Sequence, residues 1–258
     1  MYKLSSIVGK VMSISPKDLL NMNKNLNKRV DIENIDLENV SVDDLKFNGD
    51  NYYEYINLIS LLENISSCQI SDAYNSISNR SGTFNSIKPV NNKKAWGSIF
   101  TAETNCDDWG TSAIAIDEAN DGDVLFFKVD SHNKAIWGEL ASRCAAEKGI
   151  KACAIYGSAR DIDALLYMDF PVFASNFCPN AGSALGLGSL GETIEIDGIN
   201  IHSGDFFFGD ESGVVVIPKT LFKDTMIATL SVKIKESNIV SKINEGMTLV
   251  DIVGLRLK

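Results

Sequence analysis

Two rhythms of apolar and polar positions run along this chain. In the middle, short apolar runs alternate with stretches of helical period. Residues 96–102 predict a strand, 111–119 a helix and 124–129 a second strand, entered through the turn Asp121-Gly122-Asp123. After a polar turn at 130–134, residues 140–148 predict a helix, 152–156 a strand, 161–168 a further helix and 170–174 a short strand. Beyond a glycine-rich stretch (Gly182, Gly186, Gly188, Gly191) the period becomes two. Residues 193–196 and 199–202 alternate around Asp197-Gly198, a tight-turn pair, and 205–208 and 214–217 add two more strands. Pro218 then opens a long helical stretch to about Asn244. Helices and strands alternate first and strands dominate later. That order predicts an α/β sandwich or barrel-like sheet and argues against a regular doubly wound one.

The first 64 residues read differently. Of 19 glycines only Gly9 and Gly49 fall there, and Asn, Asp, Lys and Leu are frequent. Ser15-Pro16 marks a capped helix start, and residues 52–62 form a second helical pattern. The expected organisation is a mostly helical N-terminal arm or cap over 1–64 and a catalytic domain with a C-terminal helix over 65–258.

Composition narrows the classes. A chain of 258 residues with 45% hydrophobic and 22% charged residues is long enough for a sizeable core. The formal charge of −10, with no dense Lys/Arg cluster, argues against nucleic acid as a partner. No run is long enough to span a bilayer, and Lys10 interrupts the one apolar N-terminal stretch, so neither membrane insertion nor secretion is expected. Five cysteines (68, 106, 144, 153 and 178) without Cys-x-x-Cys spacing predict buried free thiols in a reducing cytoplasm. Two histidines, His132 and His202, make a multi-histidine metal site improbable. A polar turn residue or proton shuttle are the readings for His132; His202 reads as structural. Trp96, Trp109 and Trp137 read as packing residues. Gly182, Gly186 and Gly188 lack the dinucleotide spacing and precede a strand, so turns and close packing explain them.

The chemistry concentrates between Trp137 and Asp161. Twenty residues separate Glu139 from the pair Arg160-Asp161, and the strand between them ends at that pair. Ligands of α/β folds gather at such strand ends. One reading is a surface ion pair with Asp161 as an ordinary helix cap. The other is catalytic. A guanidinium suits a carboxylate or enolate oxygen, amides at the start of the Glu139 helix suit an anion, and one carboxylate with waters suits Mg²⁺. Asp161 would ligate the ion and Glu139 would hold one of its waters. Asp163, two positions along the helix, points elsewhere.

The order of motifs adds a resemblance. It runs over residues 70–254, through Ser71-Asp72-Ala73, Asp121-Gly122-Asp123-Val124, Trp137-Gly138-Glu139-Leu140, Gly157-Ser158-Ala159-Arg160-Asp161, Phe170-Pro171-Val172-Phe173, Ser203-Gly204-Asp205 and Asp210-Glu211-Ser212-Gly213. Lys235-Glu236, Ile243-Asn244-Glu245-Gly246-Met247 and Leu249 continue it. In these the chain resembles the RraA-like family, which includes 4-hydroxy-4-methyl-2-oxoglutarate aldolases and oxaloacetate decarboxylases.

The resemblance implies a ββα sandwich of the swivelling-domain kind, assembled as a homotrimer or homohexamer. It implies a lyase that cleaves the C3–C4 bond of a 2-oxo dicarboxylic acid through a pyruvate enolate. Arg160 would bind substrate, Asp161 would ligate Mg²⁺ or Mn²⁺, and the backbone beside Gly138, at Leu140 and Ala141, would hold the substrate carboxylate. Glu236 lies where some members extend an acid into a neighbouring subunit's site. Members that inhibit ribonuclease E tend to lack the Asp, so its presence favours an enzyme over a regulatory binding protein, the alternative. Asn105-Cys106-Asp107-Asp108 and Ser175-Asn176-Phe177-Cys178 depart from the family and are expected to line the pocket.

Overall fold

A computed structural model describes residues 32–255; the helix start expected at Ser15-Pro16 lies outside the described residues. After short 3₁₀ turns at Ile32–Asn34 and Val42–Leu45 come two α-helices, α1 (Tyr52–Asn64) and α2 (Ser67–Ser78). Then follow β1 (Lys88–Pro89), β2 (Ala95–Thr104), α3 (Gly110–Glu118), β3 (Asp123–Val129), β4 (Ala135–Trp137), α4 (Glu139–Glu147), β5 (Ala152–Ala159), α5 (Ile162–Leu165) and β6 (Val172–Phe177). The chain continues through β7 (Ser189–Leu190), the hairpin β8 (Ile194–Ile196) and β9 (Ile199–Ile201), β10 (Phe206–Asp210), β11 (Gly213–Ile217), α6 (Phe222–Asn244) and α7 (Leu249–Val253).

The strands β6, β5, β3 and β2 lie parallel in that order; β10 joins β2 antiparallel and β11 joins β10 antiparallel. The residues before β2 draw the two edges together. Val216 N–H donates to Gly82 and Phe84 N–H to Val214, while β1 pairs with β6. The sheet is therefore nearly closed, as the barrel-like reading expects.

Strand period sorts the core into an inside and an outside. Val124 and Phe126 of β3, Phe207 of β10, and Val214 and Val216 of β11 point inward, where Ile194, Ile196 and Ile201 of the hairpin plug the interior. Leu125, Phe127 and Val129 point outward beneath α3, α4 and α5. Phe206, Phe208, Val215 and Ile217 point outward on the far side, against Leu58, Leu61 and Leu62 of α1, Ile70 and Tyr74 of α2, and Phe222 and Met226 of α6. Residues 37–65 thus share a core with the sheet. Each fully buried Phe or Leu contributes roughly 1.5–3 kcal/mol, so this cap is held by packing.

The helix ends show where local chemistry overrode the simple reading. α2 starts at Ser67 because Ser66 and Gln69 form a capping box, which places the motif Ser71-Asp72-Ala73 inside the helix. The carboxyl end of α1 is capped by Lys94, whose Nζ donates to the carbonyls of Leu62, Glu63 and Ile65 at 3.4, 3.2 and 2.6 Å. Burial pushes that ammonium below the ordinary lysine range, while Asp210 pulls the other way.

Other differences are local. The strand β4 follows the polar turn before the Glu139 helix, and α5 covers only Ile162–Leu165 of the expected 161–168. The cysteines are free, but only Cys106 and Cys153 are buried; Cys68 and Cys144 are exposed, which corrects the expectation for them. Both exposed thiols lie on helices whose opposite faces pack. No described helix is long and apolar enough to cross a membrane.

Candidate active site

The strand β5 delivers Arg160 and Asp161 to the point where β4 turns into α4. Arg160 N–H donates to the Trp137 carbonyl at 2.9 Å, which carries the β4–β5 pairing one residue past Ala159. The Trp137 indole is buried and donates to Ser142 Oγ at 2.8 Å, and Ser112 Oγ donates to the Ile136 carbonyl at 3.0 Å. β4 is thereby pinned from both helices beside it.

Asp161 is not the ordinary helix cap of the simpler reading. Its backbone is left-handed (φ 57°, ψ 41°), and its side chain makes no bond to its own helix. Asp tolerates this region better than most residues, and such strain collects at functional sites. Its Oδ2 instead accepts the Glu139 N–H of α4 at 3.1 Å and lies 3.6 Å from Arg160 Nε. The approach depends on Gly138. A Cβ there would lie 2.4 Å from Asp161 Oδ2. The Gly138 backbone is extended at φ −164°, so space, not conformation, is what requires glycine.

A cleft of about 410 Å³ opens at this junction, within the roughly 300–1,000 Å³ of small-molecule pockets. Gly138, Leu140, Ala141, Arg160 and Asp161 line one end. Trp109, Ala113, Ile116 and Asp117 of the α3 side, Ile136 and Trp137 of β4 and Cys144 of α4 are among the residues that line the rest. Leu140 and Ala141 are first-turn residues, whose N–H groups have no acceptor within a helix. Ser142 N–H already donates to the Gly138 carbonyl.

The predicted residues do not all converge. Gly138, Leu140, Ala141, Arg160 and Asp161 meet in the cleft, whereas Glu139 is absent from its lining. Glu139 Oε1 accepts from Arg143 Nε and Nη2 at 2.8 and 2.7 Å, an i,i+4 pair along its own helix. Glu236 accepts from Gln69 of α2 and does not line the cleft of its own chain. Asp163 is exposed and outside the lining, as expected. His202 bonds Thr193 at 2.7 Å, a structural contact. The His132 ring packs edge-on against Tyr156, and its carbonyl accepts from Ser158. Trp109, expected to pack, is 42% exposed on the cleft wall.

The departing segments act beside the cleft. Of them, none of Asn105, Cys106, Asp107, Asp108, Ser175, Asn176, Phe177 and Cys178 is in the lining, which corrects that expectation. Asp108 is a residue the sequence did not single out as structural. Its carboxylate is buried and accepts the N–H groups of Leu185, Gly186 and Leu187 at 2.7–3.0 Å, and the Thr111 hydroxyl at 2.8 Å. Burial alone raises such a carboxyl; the bonds from Gly186, Leu187, Thr111 and Leu185 outweigh it and hold Asp108 well below the usual range. The glycine-rich segment is thus tied onto the start of α3, and Ala181 next to it completes the lining. Only glycine fits at 182 and 188, where a Cβ would fall 2.0 Å from the Asp107 carbonyl and 2.4 Å from that of Glu103.

As a metal donor, Asp161 offers one carboxylate at the lip of the cleft. Among the described residues no group of three or more His, Cys, Asp or Glu is placed to hold an ion. That donor set fits the Mg²⁺ mode, with one or two carboxylates and retained waters, and does not fit a closed zinc site.

Comparison with known proteins agrees with this architecture. An uncharacterised protein of Methanocaldococcus jannaschii is 36% identical over 175 residues, covering 66% of this chain and 84% of its own. A protein of Halalkalibacterium halodurans, provisionally named a 4-hydroxy-4-methyl-2-oxoglutarate aldolase, is 32% identical over 64% of this chain and 78% of its own. A crystal structure of an uncharacterised Pseudomonas syringae protein superposes with a TM-score of 0.67 at 28% identity, over 75% of this chain and 92% of its own. The family model described as RraA-like, Aldolase/RraA, matches residues 67–216, which contain the whole cleft, while the C-terminal motifs from Lys235 onward lie beyond it. The chain belongs to the RraA-like family.

Proposed function

We propose that the cleft is a divalent-cation-dependent carbon–carbon lyase site for 2-oxo acids. One observation carries this reading. The Arg160 guanidinium, the Asp161 carboxylate and the first-turn amides of α4 meet in one cleft, and Gly138 leaves Asp161 the room to be there. The provisional aldolase name of the H. halodurans relative points the same way.

The residues divide the work as follows. Leu140 and Ala141 N–H groups receive the C1 carboxylate at the positive end of α4. The Arg160 guanidinium bridges that carboxylate and the 2-keto oxygen, and it stabilises negative charge where that charge develops. Asp161 would ligate Mg²⁺ or Mn²⁺, whereas Glu139, outside the lining, stays with its Arg143 partner. Such an ion, when bound, supplies Lewis-acid polarisation of the keto group. The lining sets one guanidinium against the carboxylates of Asp161 and Asp117. An added cation balances that charge for an anionic substrate.

In aldol cleavage the 4-hydroxyl loses its proton, the C3–C4 electron pair becomes the C2 enolate, and C4 leaves as a carbonyl. C3 then takes up a proton to give pyruvate. With oxaloacetate, C4 leaves as CO₂ and the enolate is the same. The dicarboxylates oxaloacetate and 4-hydroxy-4-methyl-2-oxoglutarate are therefore the first substrates for the assay. Assembly as a homotrimer or homohexamer belongs to the same proposal. The exposed apolar side chains Val240, Ile243, Leu249 and Val250 on α6 and α7 support it.

The test follows pyruvate release from both compounds with Mg²⁺ and with chelator. Arg160→Ala and Asp161→Ala should each lower kcat/KM by about 10²-fold or more. Either variant retaining full, metal-dependent turnover would exclude the assignment.

A further inference from the structure

The end of the parallel sheet opposite the cleft carries a second, smaller cavity of about 210 Å³. It lies between the N-terminal cap and the first residues of the strands. Tyr55, Ile59 and Glu63, four positions apart on one face of α1, line the cap side together with Leu45. Trp96 and Gly97 of β2, with Gly122 and Lys151 just before β3 and β5, line the sheet side. From Lys151 the strand β5 runs roughly 25–30 Å before it delivers Arg160, so a molecule held here does not reach the cleft.

Three polar groups of this lining have unmet bonding capacity. Tyr55 is only 7% exposed, yet its hydroxyl makes no hydrogen bond to a described residue. The hydroxyl is not sealed from solvent either, so it opens into the cavity that Tyr55 lines. Burial, and then the Glu63 carboxylate, push the phenol above its ordinary range, which keeps it a neutral donor. The Glu63 carboxylate and the Lys151 ammonium form no ion pair or side-chain hydrogen bond with a described residue. The other charges nearby are engaged. Lys94 gives its donors to the Leu62, Glu63 and Ile65 carbonyls, Lys46 pairs with Asp123 at 2.8 Å beside Gly122, and Asp121 is turned to Gly149. A nearly buried hydroxyl without a partner is a standing cost that a bound ligand removes.

We infer that this cavity binds a single free α-amino acid with an aliphatic or aromatic side chain. The ammonium group meets Glu63. The carboxylate meets Lys151 and accepts the Tyr55 hydroxyl. The side chain packs on Leu45, Ile59 and Trp96. A ligand of one sign would answer one of the two charged side chains and be opposed by the other. The volume falls below the roughly 300–1,000 Å³ of pockets for drug-sized molecules, which suits one amino acid and leaves no room for a nucleotide. Cap and sheet both supply contacts, so the ligand holds the two together. The site stands apart from the lyase reading and does not depend on it.

The experiment titrates the full chain with L-leucine and L-phenylalanine in a calorimeter. Isocaproate, which lacks the amino group of leucine, and isoamylamine, which lacks its carboxyl, are the controls. The expected result is saturable binding of at least one amino acid at one site per chain, with both controls at least about tenfold weaker. Tyr55→Phe removes a hydroxyl that has no protein partner. The free variant should therefore melt at the wild-type temperature, while its affinity for the amino acid falls about tenfold. Lys151→Met, at an exposed position, should lose about tenfold as well. No saturable binding of either amino acid up to about 10 mM would overturn the inference. So would isocaproate or isoamylamine binding as tightly as leucine, or Tyr55→Phe binding like wild type. A free Tyr55→Phe that melts well below wild type would show that the hydroxyl already has a partner, and would overturn it too.

Discussion

Replacing Gly138 by alanine separates the chemistry of the site from the stability of the fold. The new Cβ would stand 2.4 Å from Asp161 Oδ2, 3.1 Å from Arg160 Cγ and 3.2 Å from Asp161 Cγ, and ordinary contact begins near 3.4 Å. The carboxylate must therefore withdraw by about 1 Å. Backbone strain is not the issue, because φ is −164° and alanine adopts that freely. The energetic loss is mainly the charge-assisted bond from Glu139 N–H. Such bonds reach about 1.5–3 kcal/mol when buried. With the Asp161 side chain 39% exposed, about 1 kcal/mol is the appropriate scale. For a chain of this size that lowers Tm by roughly 2–4 °C. Catalysis should suffer far more, because a misplacement of about 1 Å at a reacting centre costs about 10²-fold. The assay pairs kcat/KM for pyruvate release with a thermal melt of the same preparation. A Gly138→Ala enzyme within about threefold of wild type would refute the reasoning. So would an activity loss explained by global unfolding at the assay temperature.

Three further outcomes follow from the geometry. Asp108→Asn should destabilise the protein by about 1–3 kcal/mol at neutral pH, since an amide oxygen cannot take all the bonds the carboxylate accepts. The Asp108 carboxyl titrates lower in the folded state than in the unfolded one, so its contribution is complete above the unfolded value near 3.9 and declines as pH falls below it. Urea midpoints should show the gap between wild type and variant narrowing below about pH 4; a constant gap would contradict the assignment. Lys94→Met keeps the apolar stem near Phe208 but removes the cap on α1, and urea unfolding should report a loss of about 1–2 kcal/mol. Finally, maleimide should label Cys68 and Cys144 quickly and Cys153 slowly, because burial pushes the Cys153 thiol well above its ordinary value. Oxalate with Mg²⁺ should protect Cys144, in the cleft, and leave Cys68 unprotected; equal labelling with and without oxalate would argue against anion binding there.

Sequence alone carried the regular parts of this molecule. Strands β3, β10 and β11 were legible because their side chains alternate between two buried faces and their lengths match apolar runs. The Asp197-Gly198 turn was legible because both residues occupy positive φ, which that pair accommodates. The Arg160-Asp161 pair was legible from its place at a strand end. What was hidden depends on contacts distant in sequence. The left-handed Asp161, aimed at another helix, looks like an ordinary cap until Gly138 is seen against it. Asp108 looks like a polar loop residue, since its three amide partners lie 77–79 positions away. The Glu139–Arg143 pair was available from i,i+4 spacing, but the longer-range role proposed for Glu139 drew the reading away from it.

The strip that draws the sheet edges together also governs how this protein meets its neighbours. An open sheet presents a row of free N–H and C=O groups that can template pairing with another chain. Here residues 82–84 occupy the outer side of β11, and Lys88–Pro89 occupies the outer side of β6. Proline has no N–H to offer a further strand. Both flanks of the sheet are thus guarded against intermolecular strand addition by one short stretch of chain. Substitutions that loosen residues 82–89 should therefore appear first as insolubility, before any change in turnover.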